Sequence, residues 1–105
     1  MVRTVKLMAD YYAHVLWEVG DDRVGDIDPK TFLISEGLRN DLHAWGETYF
    51  RTLNQQYPPD SGFNSADEKV AFDREGRRLW AELRSQLGTA FRVVYFSNLD
   101  AKIYE

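Results

Sequence analysis

Residues 65 to 96 constrain the fold more than any other part of the chain, because a capped amphipathic helix, a glycine stop and a strand of alternating side chains follow one another without a break. Ser65 and Glu68 form a capping box, whose side chains satisfy backbone N–H groups that a helix start leaves free. Phe72, Gly76, Leu79, Leu83 and Leu87 then recur at helical spacing as a buried stripe, with Trp80 on its edge. Gly88 supplies a left-handed stop. Asp73 with Arg77, and Arg78 with Glu82, stand four apart and are expected as ion pairs on the solvated face. Beyond the stop, Phe91, Val93 and Tyr95 alternate with Arg92, Val94 and Phe96, which predicts an inner strand, apolar on both sides.

The rest of the chain supplies partners for these two elements. Val2 to Ala9 alternates, with Val5, Leu7 and Ala9 on one face. His14 to Val19 alternates again, with Val15, Trp17 and Val19 on its apolar face, so the two strands can pair as a hairpin through Asp10 to Ala13. Two glycines, a proline and four aspartates between Gly20 and Pro29 are expected to stop regular structure. Ser35 is a good N-cap for a first helix whose apolar positions Leu38, Leu42, Trp45, Tyr49 and Leu53 make one stripe. Gly46 weakens that helix and suggests a close neighbour. Tyr57 to Gly62 ends it in a stiff, proline-rich connection, and Lys102 to Tyr104 is too short to assign. The order β-β-α-α-β predicts one α+β domain over residues 1–105, a two-layer arrangement of a small, mainly antiparallel sheet with two helices packed on one face.

Composition narrows what such a domain does. At 105 residues with 44% hydrophobic side chains, the chain has enough apolar area to fold without staples. Cys is absent, so thiol chemistry and cysteine-based zinc sites are excluded, and a reducing cytoplasm suits the composition. No signal-peptide pattern and no membrane-length apolar run are visible. The net charge of −4 is uneven: residues 1–35 carry six acids and four bases, residues 36–64 four and two, and residues 65–105 seven and seven. An acidic N-terminal two thirds argues against a nucleic-acid binder and suits a basic protein partner.

Candidate chemistry is sparse. His14 lies four residues from Asp10 and His43 two from Asp41, with no nucleophile context to complete a triad and no HExxH metal motif. Asp21, Asp22, Asp26 and Asp28 fail the spacing of a calcium loop, which places oxygen ligands at alternate positions and a glycine at the sixth, and so read as a solvated turn or a negative patch. Arg74, Arg77 and Arg78 are offset by Asp73, Glu75 and Glu82. Trp17, Trp45 and Trp80 fall on apolar faces and are expected in the core. Tyr11, Tyr12, Tyr57 and Phe63 lie in or beside turns, as anchors or as exposed contacts. No metal or cofactor is expected.

The segments Lys6-Leu7-Met8-Ala9-Asp10-Tyr11, Leu16-Trp17, Ser61-Gly62-Phe63, Phe72 with Glu75-Gly76-Arg77-Arg78-Leu79, and Val93-Val94-Tyr95-Phe96 together resemble a family of small, largely uncharacterised bacterial cytosolic proteins. The chain is also similar to the small acidic immunity proteins that neutralise bacterial toxins, which commonly cover a toxin's active site. Neither resemblance carries a functional residue onto a position of this sequence. The leading expectation is a non-enzymatic protein-binding module, immunity- or antitoxin-like, that occludes a basic partner with Asp21, Asp22, Asp26, Asp28, Tyr57, Asp60 and Phe63. An alternative is a small enzyme or ligand binder with a pocket between helices and sheet, using Asp10, Tyr11 and His14; a second is a structural homodimer through a sheet edge.

Overall fold

The computed structural model describes residues 2–20 and 24–105 and has an α+β architecture. A five-stranded sheet carries two helices on one face. Its strands are β1 (Arg3–Leu7), β2 (Leu16–Val19), β3 (Val24–Ile27), β4 (Phe91–Ser97) and β5 (Lys102–Tyr104); the helices are α1 (Glu36–Phe50) and α2 (Ala66–Leu87). The strand order is β3-β2-β1-β4-β5, and only the central β1–β4 pair is parallel. The sheet is therefore mixed but mainly antiparallel, with the inner position expected for β4.

Helix boundaries follow their caps. Ser35 Oγ accepts from Leu38 N at 3.1 Å, and Ser65 Oγ accepts from Glu68 N at 3.1 Å. The reciprocal Glu68 carboxylate reaches Asn64 N, one residue before the cap. Gly88 closes α2 with a φ of +63°, where a Cβ would be strained. Leu79 and Leu83 are fully buried against the sheet, each stabilising the fold by about 2 kcal/mol in transfer terms.

Several expectations are corrected. Val24 to Ile27, expected to lie in irregular structure, form a strand that pairs with β2 in the register Leu16↔Ile27 and Trp17↔Asp26. Gly25 takes a φ of +155° within that pairing, and Ile27 packs against the core. Lys102 to Tyr104 adds a fifth strand, fastened to β4 by the Arg92–Glu105 ion pair.

The apolar face of β2 is also shifted by one residue, which in a strand moves every side chain to the other side. Leu16, opposite Leu7, faces the helices and is fully buried. Trp17, opposite Lys6, lies on the sheet face away from them, half-buried, with Nε1 donating to Met8 O at 2.9 Å. Val15 precedes the strand and packs against α1 instead, where a Cβ on Gly46 would lie 3.0 Å from Val15 Cγ1. That contact is the close neighbour Gly46 implied. Leu53 falls beyond α1 and is only half-buried.

On α2, Asp73 is not on a wet face. It is buried at 5% exposure, and Arg78 pairs with Glu75 and Asp41 of α1 while Glu82 accepts from Gln86. The adjoining α1 brings Asp41 within 3.0 Å of Arg78, an acceptor that spacing along α2 alone does not reveal.

Candidate functional site

The connection from β1 to β2 folds over one flank of α1 and builds a groove there. Met8 N donates to Val15 O at 2.9 Å and closes the connection. Inside it, Asp10 Oδ1 accepts from Tyr11 N, and His14 N donates to Asp26 Oδ2 at 2.8 Å, tying the turn to β3. Asp28 then caps the 3-10 turn Pro29–Thr31, its carboxylate accepting from Lys30 N at 2.9 Å. These are local turn bonds that short acidic side chains make readily.

Their consequence is spatial. Asp10, Asp26 and Asp28 line a single groove of about 810 Å³ whose other wall is the flank of α1, with Glu36 and Glu47 adding two more carboxylates. His14, His43, Lys30 and Arg39 also line it. The five acids outnumber Lys30 and Arg39, so the field in the groove is negative and focused between walls of lower dielectric. His43 Nε2 sits 4.0 Å from Glu47 Oε1. Arg39 Nε is buried in the wall, with no hydrogen-bond acceptor among the described residues.

Residues expected in two separate sites thus meet. Asp26 and Asp28, read as a partner-binding patch, share the groove with Asp10 and His14, read as an alternative pocket. Tyr11 does not join them: its ring stacks on Tyr49 at 4.7 Å and its hydroxyl bonds Thr52 Oγ1 at 2.7 Å. Burial together with Tyr11 and Asp10 raises the Tyr49 hydroxyl above its ordinary pKa. Asp21 and Asp22 lie outside the described residues. Tyr57 and Asp60 are exposed and line none of the hollows described here, whereas Phe63 packs on Phe72 with ring centroids 5.1 Å apart. Of the turn aromatics, therefore, Tyr11 and Phe63 are anchors, and Tyr12 and Tyr57 are exposed at 78% and 58%.

A second hollow, of about 510 Å³, lies between the helices. Trp45 and Phe72, stacked at 4.5 Å, form its floor, and Trp45 Nε1 donates to Phe72 O. Its rim acids Asp41 and Glu75 are both engaged by Arg78.

A buried, hydrogen-bonded carboxylate lies elsewhere, outside the candidate site residues drawn from sequence. The Asp73 carboxylate accepts from Arg77 Nε at 2.8 Å, Tyr95 Oη at 2.8 Å and Ser97 Oγ at 2.7 Å. Burial alone would raise its pKa, but those hydrogen bonds outweigh burial and hold it below the ordinary value. Tyr95 moves up, through burial and then through the adjacent carboxylate. The signal was present in the spacing: Asp73 precedes Gly76 by three and Trp80 by seven, which places it on the buried side of α2. Every partner of this carboxylate belongs to α2 or β4, so the cluster joins helix to sheet.

Among the described residues, no three His, Asp or Glu side chains come together so as to hold a metal ion, and no helix is long and apolar enough to cross a membrane. A protein-family profile described as Serratia CdiI immunity protein-like matches residues 3–98, from β1 through the whole of β4 and including every residue of the acidic groove. The match supports the second of the two resemblances drawn from sequence. No curated protein matches the chain.

Proposed function

We propose that this chain, which belongs to the Serratia CdiI immunity protein-like family, is a non-enzymatic immunity protein that binds a protein toxin in the bacterial cytoplasm and covers a basic surface of it. The observation that carries the reading is the convergence of Asp10, Asp26, Asp28, Glu36 and Glu47 on one groove. These groups come from three separate parts of the chain, and the acidic N-terminal two thirds of the sequence supplies all of them.

The chemistry of a toxin that acts on a nucleic acid or another polyanion favours a basic active face. A negative groove complements such a face, raises the association rate and disfavours like-charged competitors. Among the described residues, the groove lining contains no serine, threonine or cysteine, and the His14 contact to Asp26 runs through the backbone N–H and not the ring. That contact orders the turn through the backbone.

The test is protection. Cells producing a candidate toxin domain drawn from the neighbourhood of this protein's gene should survive when the protein is co-produced. A variant carrying Asp10→Asn, Asp26→Asn, Asp28→Asn and Glu36→Gln keeps similar hydrogen-bonding groups at the turns but should protect poorly and bind at least tenfold more weakly at low salt. Full protection by that variant, with unchanged affinity, would remove the acidic groove from the reading. Failure of the unaltered protein to protect would remove immunity itself.

A further inference from the structure

One large exposed apolar side chain lines the acidic groove at one end, and a second precedes by three residues the Glu36 that lines the other. At one end, Tyr12 lines the groove, is 78% exposed and meets Phe50 edge-on at 5.3 Å. Its φ of +59° is uncommon for a residue with a bulky side chain. Toward the other end, between the groove residues Lys30 and Glu36, the chain turns Phe32 and Ile34 into the core and leaves Leu33, which is not itself part of the groove lining, 95% exposed. α1 connects these ends, since its first residue Glu36 and its last residue Phe50 both line the groove. At 1.5 Å per residue the ends are about 21 Å apart, the span of roughly six residues of extended chain.

We propose that the groove receives one basic segment of the toxin domain, with lysine or arginine side chains over the central carboxylates and an apolar side chain at each end, against Tyr12 and against Leu33. The identity of the partner rests on the immunity reading, while the chemistry of the occupant is argued from the groove. Five carboxylates against Lys30 and Arg39 call for cations, and a second copy of this chain, with a net charge of −4, is a poor source of them. Charge steers such a segment into place and fixes its direction. It does not hold the segment for long in water, because exposed ion pairs are weak. Residence comes from desolvated apolar contacts, which an exposed tyrosine at one edge and an exposed leucine beyond the other supply.

The probe is the peptide acetyl-Leu-Lys-Arg-Lys-Arg-Leu-amide, titrated into 15N-labelled protein beside a control with glycine in place of both leucines. Amide shifts are expected at Tyr12, His14, Leu33 and His43, with the control binding about tenfold more weakly. In the double variant Tyr12→Ser/Leu33→Ser, whose melting temperature should match that of the unaltered protein because both side chains are exposed, the two peptides should bind alike. Shifts confined to other faces, or equal binding of both peptides to the unaltered protein, overturn the proposal. Measured against the toxin domain, the same double variant separates the two readings: wild-type affinity and full protection by it would sink the groove-end contacts and leave immunity standing. Loss of protection by the unaltered protein would sink immunity whatever the peptides do.

Discussion

The carboxylate of Asp73 accepts a 2.8 Å hydrogen bond from the hydroxyl of Tyr95, joining the buried side of α2 to the middle of β4. Both side chains are sequestered from water, so the Tyr95 hydroxyl depends on Asp73 for its acceptor, while the carboxylate has Arg77 and Ser97 as further donors. Tyr95→Phe removes one donor and leaves Arg77 and Ser97 to satisfy the carboxylate, a loss of about 1.5 kcal/mol. Asp73→Ala strands the Tyr95 and Ser97 hydroxyls together, and is expected to cost about 3 kcal/mol or more. Urea denaturation of the two variants checks the order; equal and negligible losses would show that the cluster contributes no net stability.

The same carboxylate makes the fold sensitive to acid. Its folded pKa lies below the ordinary value of 3.8, because the hydrogen bonds from Arg77, Ser97 and Tyr95 outweigh burial. Stability from a depressed carboxyl is fully present above the unfolded pKa and is lost as pH falls from there through the folded value. Unfolding free energy measured from pH 6 downward should therefore hold steady to about pH 5 and then decline as that pKa is approached and passed. In Asp73→Asn the protein should start less stable and decline less steeply over that window. A decline of unchanged slope would assign the acid sensitivity to other carboxylates.

Gly76 and Gly37 offer opposite outcomes for one chemical change. A Cβ on Gly76 would meet the Tyr95 hydroxyl and lie 2.7 Å from Trp45 Cζ2 and 2.9 Å from Tyr95 Cε1, atoms of two buried rings with nowhere to go. Gly76→Ala should destabilise by about 2 kcal/mol or more, overpacking exceeding the gain of about 1 kcal/mol in helix propensity. A Cβ on Gly37 has only Ser35 Oγ near it, at 4.0 Å. Gly37→Ala should stabilise by about 0.5 kcal/mol. Thermal melts of both variants read the sign directly.

What could be read in the sequence was the local grammar, and what could not was the pairing of distant parts. Ser35, Ser65 and Gly88 marked helix ends by side-chain chemistry that acts within four residues, and the structure uses all three. β4 was recognisable as an inner strand because Val93, Val94 and Tyr95 need cover on both faces. β3 was hidden, since Val24-Gly25-Asp26-Ile27 has the composition of a turn and becomes a strand only through the ladder that β2 supplies. Trp17 misled for a related reason: Trp17 and Leu16 both fit an alternating pattern, and the register against β1, a long-range property, decides which of them faces the helices. In the candidate site, the acids Asp26 and Asp28 stood out by charge. Their meeting with Asp10 and His14 required the 2.8 Å bond from His14 N to Asp26 to be seen.

Charge and apolar contact in the groove should separate kinetically. Under the proposed reading, Asp10, Asp26, Asp28 and Glu36 would act on a basic partner at a distance, so neutralising them should slow association with the toxin domain by about tenfold at low ionic strength. The effect should shrink as salt approaches about 0.5 M, where the screening length falls to a few ångströms. Tyr12, whose side chain is 78% exposed, would act only on contact. Tyr12→Ala should leave association nearly unchanged and speed dissociation by about five- to thirtyfold, an effect that salt does not erase. Biolayer interferometry of both variants across a salt series distinguishes the two roles. Should Tyr12→Ala instead slow association with the salt dependence of the charge variant, the tyrosine would be positioning the acidic turn and not holding the partner.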